Sequence, residues 1–126
     1  MKSLSNTTEY DDKLFFQIIS DSFKKLFICP CDKPFQIKKT KKTNIIIEKP
    51  GKHKVKASAT GKIIYSADNI LILEHENNIY TTYKNIIPLT ITKDKITQGT
   101  PIAEFQNTFS FSISIKPLDI TEENNV

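Results

Sequence analysis

Residues 108–115 alternate hydroxyl and apolar side chains without a break, in the order Thr-Phe-Ser-Phe-Ser-Ile-Ser-Ile. Successive side chains of a β-strand point to opposite faces, so this pattern places the large apolar side chains on one face and the hydroxyls on the other. Only the apolar face of such a strand has to be buried in a hydrophobic core. The chain is therefore constrained to a sheet with one buried face and one face that meets solvent or a polar partner.

The chain from residue 35 onward shows further β signals. Short β-branched and aromatic runs are separated by turn-forming sequences such as Lys49-Pro50-Gly51 and Gln98-Gly99. Strands are predicted at residues 35–38, 44–48, 55–59, 62–66, 70–75, 79–83, 86–91, 101–105 and 109–115. Many short strands at close spacing predict a mostly β fold, a compact antiparallel sandwich or barrel-like sheet.

The N-terminal part has a helical period instead. Apolar residues recur there at intervals of three and four: Leu14, Phe15, Ile18, Ile19, Phe23, Leu26 and Phe27. This spacing predicts one amphipathic helix, which Pro30 ends. Its apolar side must lie on the domain's own sheet, on a second copy or on a partner protein. The candidate partner-facing residues are Phe15, Ile19 and Phe23.

These patterns divide the chain into an N-terminal segment at 1–28, a β domain at 29–120 and a polar tail at 121–126. A chain of 126 residues can bury one core without a disulfide or metal. The net charge is +4 and every basic residue is lysine. Because lysine lacks the bidentate guanidinium, sequence-specific nucleic-acid binding is disfavoured, whereas contact with an acidic membrane surface stays open.

The compartment is predicted from the cysteines and the N-terminus. Cys29 and Cys31 flank Pro30 too tightly for an easy mutual disulfide, and they are interpreted as thiols. Neither a secretory signal nor a membrane span is expected, because acidic residues precede the apolar stretch and charges interrupt it. We predict the cytoplasm, with the periplasm or envelope left open.

Four segments follow one another with recognisable spacing. They read V-K-A-S-A-T-G-K-I-I-Y (55–65), L-I-L-E-H-E-N-N-I-Y-T-T-Y (71–83), K-D-K-I-T-Q-G-T-P-I (93–102) and T-F-S-F-S-I (108–113). In that order they resemble V-Y-A-A-A-D-G-V-V-x-Y, L-V-I-I-D-H-G-N-G-Y-x-T-x-Y, G-D-K-V-x-x-G-Q-x-I and H-L-H-F-E-I of the LytM-type, lysostaphin-like zinc peptidoglycan endopeptidases. The resemblance implies the duplicated hybrid motif fold of that family.

The resemblance does not extend to the zinc ligands. In the family, zinc is held by a histidine, an aspartate four residues later and the first histidine of the H-x-H strand. Here Thr108 and Ser110 stand at the H-x-H positions, and Asn85 replaces an assisting histidine. The aspartate falls near Ile46 and its histidine partner near Lys42. We therefore expect no metal, no cofactor and no catalytic residue.

The functional prediction is a non-catalytic LytM-like domain that acts as a protein-interaction adaptor or structural component of a cell-wall or envelope assembly. The groove that corresponds to the active site of the peptidases would be lined by Tyr83, Asn85, Thr108 and Ser110. The partner that it binds would be another protein or a second copy of this chain. Three alternatives stay open: peptidoglycan binding, residual endopeptidase activity, and a lipoyl- or biotinyl-like carrier modified at Lys95. His75 is expected to pack and to form hydrogen bonds at a strand end.

Overall fold

The computed structural model describes residues 26–41, 44–91 and 94–115. In this part of the chain seven strands form one antiparallel sheet, in the order β1-β2-β7-β5-β4-β3, with β6 paired to β7. The strands are β1 (Gln36–Lys41), β2 (Asn44–Lys56), β3 (Lys62–Ala67), β4 (Ile70–Glu74), β5 (Tyr80–Lys84), β6 (Ile87–Pro88) and β7 (Pro101–Ser114). A short 3-10 turn (Glu76–Asn78) joins β4 to β5. The prediction of a mostly β, antiparallel fold is confirmed.

The predicted N-terminal helix lies outside the described residues except at its last two positions. Leu26 is in a turn and Phe27 has no regular secondary structure, so the described chain is not helical there. Phe27 is buried in the core, and the Ile28 N–H donates to the Ser58 carbonyl at 2.9 Å. Residues 27 and 28 therefore pack as part of the β domain, although the sequence assigned them to the N-terminal segment. The polar tail is also outside the described ranges.

The core lies on one face of the sheet, as the alternating strand predicts. Phe109, Phe111 and Ile113 of β7 are at most 3% exposed. Ile45 and Ile47 of β2 are on the same face, because they pair with Phe111 and Phe109 across the sheet. The buried core also contains Phe35, Val55, Leu71, Leu73, Ile86, Ile96, Ile102 and Phe105. The prediction extended this apolar stripe to Ile115, which instead follows the strand and is 72% exposed.

Four of the predicted strands are joined into two long ones in the structure. The strand predicted at 44–48 and the first residues of the one predicted at 55–59 are both part of β2, and those predicted at 101–105 and 109–115 are both part of β7, which ends at Ser114. Lys49 pairs with Asn107 and Lys52 with Gln106, so Pro50 and Gly51 form a bulge inside β2 rather than a reversing turn. Gly51 has φ +101°, and its N–H donates to Asn107 Oδ1 at 2.8 Å. Asn107 itself has φ 70°. Both strands thus bend together at this point, which local turn propensity cannot distinguish from a reversal.

Two other predicted strands are shorter than expected. Residues 57–60 leave the sheet after β2, and the Ala57 N–H donates to the Thr100 carbonyl at 2.9 Å. Only Ile87–Pro88 of the predicted strand at 86–91 forms a strand, which pairs with β7. The Leu89 N–H also donates to the Ile102 carbonyl at 2.9 Å, so the contact with β7 extends one residue further.

Candidate functional site

The face opposite the core carries the hydroxyls of β7 and is called the hydroxyl face below. Its residues are aligned in rows by the strand register. Ser110 lies between Ile46 of β2 and Lys84 of β5, and Ile46 pairs in turn with Lys38 of β1. These four residues, Lys38, Ile46, Ser110 and Lys84, form the open row, in which Ser110 and Ile46 are partly exposed.

Two more of the predicted groove residues, Thr108 and Asn85, lie beside Ser110 and the open row. Thr108 is two residues from Ser110 on the same face of β7, where it pairs with Glu48 of β2. Asn85 follows β5 with φ 66°. Its Nδ2 donates to the Thr108 carbonyl at 2.9 Å and to Thr108 Oγ1 at 3.3 Å. Asn85 is exposed and Thr108 is partly exposed, so both can be reached from solvent.

Tyr83 does not line this groove. It pairs with Phe111 across β5 and β7, which places it on the core face, and it is 0% exposed. Its ring centroid lies 5.3 Å from that of Phe111. The sequence reasoning chose Tyr83 because of its motif position, but the strand alternation puts Lys84 on the hydroxyl face instead. Lys84 therefore lies on the side of the groove, whereas Tyr83 packs in the core on the other side of the sheet.

Of the positions that the resemblance aligns with zinc ligands, Ile46 and Thr108 lie on adjacent strands, and Lys42 lies outside the described residues. Ile46 is directly opposite Ser110, and Glu48 is opposite Thr108. Ile46 carries no donor atom, and neutral hydroxyls at 108 and 110 are poor substitutes for imidazole nitrogens. Among the described residues, no group of three or more histidine, cysteine, aspartate or glutamate side chains is arranged to hold a metal ion. The residues at this place do not fit zinc.

Glu48 gives the hydroxyl face one negative charge near Thr108. Lys38 Nζ lies 3.1 Å from Glu48 Oε2. This pair, with Asn85 and the two hydroxyls at 108 and 110, forms a surface of mixed donors and acceptors. Such a surface can form hydrogen bonds with an extended peptide.

Four lysines of the run at 38–56 pair with carboxylates: Lys38, Lys52, Lys54 and Lys56. Glu104 of β7 lies 3.4 Å from Lys52 Nζ and 2.7 Å from Lys54 Nζ. The hydrogen bond from Lys54 lowers the pKa of Glu104, and the charges of Lys52 and Lys54 act in the same direction. Lys56 forms an ion pair with Asp32. These four lysines therefore belong to the sheet's own ion pairs, and such exposed pairs add little stability.

A second polar arrangement lies inside the domain. His75 Nδ1 is 2.8 Å from the Thr60 carbonyl, and His75 Nε2 is 2.8 Å from Thr81 Oγ1. Thr81 Oγ1 is in turn 3.1 Å from the Tyr83 hydroxyl, which accepts the Ser58 N–H at 3.1 Å. We call these five residues, Thr60, His75, Thr81, Tyr83 and Ser58, the buried chain.

The proton positions in the buried chain follow from the two backbone groups at its ends, the Thr60 carbonyl and the Ser58 N–H. A carbonyl can only accept, so His75 Nδ1 donates to Thr60; an N–H can only donate, so Tyr83 accepts from Ser58. One orientation then satisfies every group: the Tyr83 O–H donates to Thr81, and the Thr81 O–H donates to His75 Nε2. This requires neutral His75. Burial lowers the pKa of His75, while its bond to Thr60 opposes the shift. Burial raises the pKa of Tyr83 to about 12.

The prediction for His75, packing and hydrogen bonding at a strand end, agrees with these contacts. The ring of Phe27 meets that of His75 edge-on, with centroids 5.7 Å apart. The sequence reasoning missed Thr81, although Thr81 and Tyr83 share one face of β5 and lie across the hairpin from His75. That i, i+2 spacing was the available signal.

A cleft of about 570 Å³ lies next to His75. Its walls include Leu26, Gly61, Glu76 and Lys95. Lys95 is exposed and precedes Ile96, which pairs with Gly61 in an isolated bridge. His53, the other histidine, bonds instead to the Pro50 carbonyl at 2.7 Å through Nε2.

Both cysteines are thiols in the structure. Cys31 is 4% exposed and belongs to the core, and Cys29 packs partly buried against it. They form no disulfide. Their burial is in keeping with the interpretation of Cys29 and Cys31 as buried or idle thiols.

Solved structures of zinc peptidases share this architecture. A zinc-containing peptidase from Vibrio cholerae aligns with a TM-score of 0.60 and 21% identity, covering 75% of this chain and 39% of that one. The M23 metalloprotease pseudoalterin, from the deep sea, aligns with a TM-score of 0.58 and 11% identity, covering 71% and 70%. A chain of the SpoIIIAH–SpoIIQ complex aligns with a TM-score of 0.52 and 16% identity, covering 78% and 88%.

These similarities establish the fold of the chain, which is the LytM-like fold of the M23 peptidases. The chain spans 39% of the Vibrio cholerae peptidase. No protein-family model matches the sequence, and no curated protein matches it. In the described residues, none of the helical structure is long or apolar enough to cross a bilayer.

Proposed function

We propose that this chain is a non-catalytic LytM-like domain that binds a protein partner through the open row and its neighbours Asn85, Thr108 and Glu48. The observation that carries the proposal is the chemistry at the former ligand positions. Ile46, Thr108 and Ser110 share one face of adjacent strands, where they offer a side chain without donor atoms and two hydroxyls. These three side chains offer no imidazole nitrogen or carboxylate to hold a zinc ion, and this supports recognition of a peptide rather than zinc-dependent cleavage.

The form of the groove supports an extended segment as the ligand. Ser110 and Thr108 project from one strand at a spacing of two residues, and Lys84 and Glu48 flank them on the neighbouring strands. An extended peptide laid across these rows can pair its amides with the hydroxyls of Thr108 and Ser110. The SpoIIIAH–SpoIIQ complex supports the proposal, because it is an assembly of two proteins that includes this fold.

By the resemblance to cell-wall peptidases, we propose that the partner belongs to a cell-wall or envelope assembly and that the domain acts there as an adaptor or structural part. The cytoplasm remains the compartment that we predict. A fluorescent fusion expressed in cells tests this point, since a signal confined to the periplasm or envelope would contradict it.

The decisive test compares a groove variant with a matched surface variant. Ser110→Glu adds charge and bulk to the open row, whereas Ser66→Glu makes the same change at an exposed position of β3. Partner capture by the tagged protein should be lost for Ser110→Glu and kept for Ser66→Glu, with both variants equally folded by circular dichroism. Equal capture by both would reject the groove as the contact surface.

Other functions give different results in the same samples. A zinc endopeptidase would contain one zinc per chain and release muropeptides from sacculi until a chelator is added. A peptidoglycan-binding domain would sediment with sacculi, and a carrier domain would show an added mass on Lys95. Zinc-dependent cleavage in particular would overturn the proposal.

A further inference from the structure

Residues 57–61, called the linking segment below, join β2 to β3 and belong to neither strand. Their backbone is held by other loops of the domain. The Ser58 carbonyl accepts the Ile28 N–H at 2.9 Å, and the Gly61 N–H donates to the Ile96 carbonyl at 3.0 Å. Neither of these two bonds is part of the pairing between β2 and β7. The linking segment can therefore separate from its neighbours without opening that pairing.

The buried chain begins and ends in the linking segment. His75 Nδ1 donates to the Thr60 carbonyl, and the Ser58 N–H donates to the Tyr83 hydroxyl. The other members of the buried chain belong to the hairpin of β4 and β5. The packing is close, because a Cβ at Gly61 would lie only 2.5 Å from His75 Nδ1. The buried chain thus holds the linking segment against the hairpin.

The hydrogen bonds of the buried chain leave no place for a second proton on His75. With neutral His75, each hydrogen in the chain has one acceptor. A proton on Nε2 turns this atom from an acceptor into a donor, so the hydroxyls of Thr81 and Tyr83 have two hydrogens and only each other as acceptors. One of these hydrogens is then unpaired, since the described residues offer the two hydroxyls no further acceptor. Thr81 and Tyr83 are each 0% exposed, so bulk water does not reach them, and the protonated ring destabilises this closed arrangement.

Burial is the main reason why the closed arrangement disfavours the charge. It lowers the pKa of His75, while the bond to Thr60 opposes the shift, and the ring packs edge-on against Phe27. The titratable groups around the ring are its chain neighbours Glu74 and Glu76, Tyr83 in the buried chain, and Lys62, Asp94 and Lys95 in the cleft. In the described structure none of the charged groups in this set is hydrogen-bonded to the ring. When the linking segment separates, the ring meets water and its pKa returns toward about 6.5, so a falling pH favours the open form.

We propose that the buried chain is a pH-sensitive switch: when His75 takes up a proton, residues 58–61 separate from the hairpin of β4 and β5 while the pairing of β2 with β7 stays closed. The cleft beside His75 then widens, because Ala59, Thr60 and Gly61 form part of its wall. The inference goes beyond the proposed function and does not depend on it, since it concerns this cleft rather than the open row.

Amide hydrogen exchange, followed by NMR, tests the inference. From pH 7.5 to pH 5.0, after correction for the intrinsic rate, the protection of the Ser58 and Gly61 N–H groups should fall by up to about thirtyfold, because one proton changes the equilibrium by at most about tenfold per pH unit below about 6.5. Urea below the unfolding transition separates local from global opening: at pH 5.0 it should leave these two protections unchanged and lower those in β2 and β7. A fall of less than about threefold, or the same urea dependence as in β2 and β7, would overturn the inference.

Two histidine variants form a matched pair. His75→Gln keeps a donor and an acceptor but cannot take up the proton, so it should remove the fall in protection. His53→Gln removes the other histidine, whose Nε2 lies 2.7 Å from the Pro50 carbonyl, and should retain the fall; the reverse result would contradict the switch. If His75→Gln does not fold, an NMR titration of the parent decides, because an apparent pKa of His75 below about 6.5 supports the switch and a value at or above it contradicts it. Loss of partner capture by Ser110→Glu concerns only the proposed function, so the two failures can be distinguished.

Discussion

Replacing Tyr83 by phenylalanine tests whether the buried chain stabilises the domain. The substitution keeps the ring, which packs with its centroid 5.3 Å from that of Phe111, and removes only the hydroxyl. Two groups then lose a partner. The Ser58 N–H loses its acceptor at 3.1 Å, and the Thr81 hydroxyl loses the neighbour at 3.1 Å that orients it toward His75.

The magnitude follows from the burial of these groups. Ser58, Thr81 and Tyr83 are each 0% exposed, so water cannot replace the missing oxygen without opening the core. An unsatisfied buried amide costs about 1–3 kcal/mol. We therefore expect Tyr83→Phe to lower the free energy of unfolding by about 1–3 kcal/mol, with no gain in packing to offset the loss.

Urea unfolding followed by circular dichroism at pH 7.5 measures this difference, and Tyr80→Phe is the matched control. The Tyr80 hydroxyl donates to Glu74 Oε2 at 3.1 Å on the hydroxyl face, where the residue is only partly buried. Removing the Tyr80 hydroxyl should lower the free energy of unfolding by clearly less than removing the Tyr83 hydroxyl. If the two variants were equally stable, or if Tyr83→Phe matched the parent, the reasoning about the buried chain would be refuted.

Three further predictions concern stability. First, because burial holds the pKa of His75 below its usual 6.5, the unfolded state binds more protons at mildly acidic pH. The free energy of unfolding, measured with urea, should therefore fall as pH drops below about 6.5, with a slope from this histidine of at most about 1.4 kcal/mol per pH unit, and His75→Gln should reduce that slope. Second, a Cβ at Gly61 would lie 2.4 Å from the Glu74 carbonyl oxygen and 2.5 Å from His75 Nδ1; Gly61→Ala should cost about 1–3 kcal/mol or more in urea unfolding, and adding His75→Ala should not restore stability, because the backbone oxygen remains. Third, Ile47→Ala should cost about 2–5 kcal/mol, since Ile47 is 0% exposed, whereas Ile46→Ala on the hydroxyl face should cost less; equal thermal shifts for the two would contradict the assignment of faces.

Local patterns predicted the strands well and their continuity poorly. The strands at 62–66 and 79–83 are found as Lys62–Ala67 and Tyr80–Lys84. The prediction of a reversing turn at Lys49-Pro50-Gly51 was wrong. These residues form a bulge in β2, which lies beside Asn107 of β7. A glycine with positive φ serves a bulge and a turn equally well. Which of them forms depends on a partner strand that is more than 50 residues away.

The candidate site shows the same division. The alternation in β7 was enough to place Thr108 and Ser110 on one face, and Asn85 beside them was expected from the resemblance. Tyr83 was predicted to line the groove, but the residue of β5 that lies on the hydroxyl face is Lys84. The two are adjacent in the chain, and adjacent residues of a strand point to opposite faces. The motif position gave no indication of that reversal; the register with Phe111 decides it.

The sequence by itself determined the period of the strands, the single core face and the residue types at the former ligand positions, because these depend only on order along the chain. Only the tertiary structure decided that Ile46 lies against Ser110 and that Thr82 is buried while Ser110 is not. Those facts depend on strand pairing and on what packs above the sheet. Both are contacts between distant residues, and local sequence does not encode them.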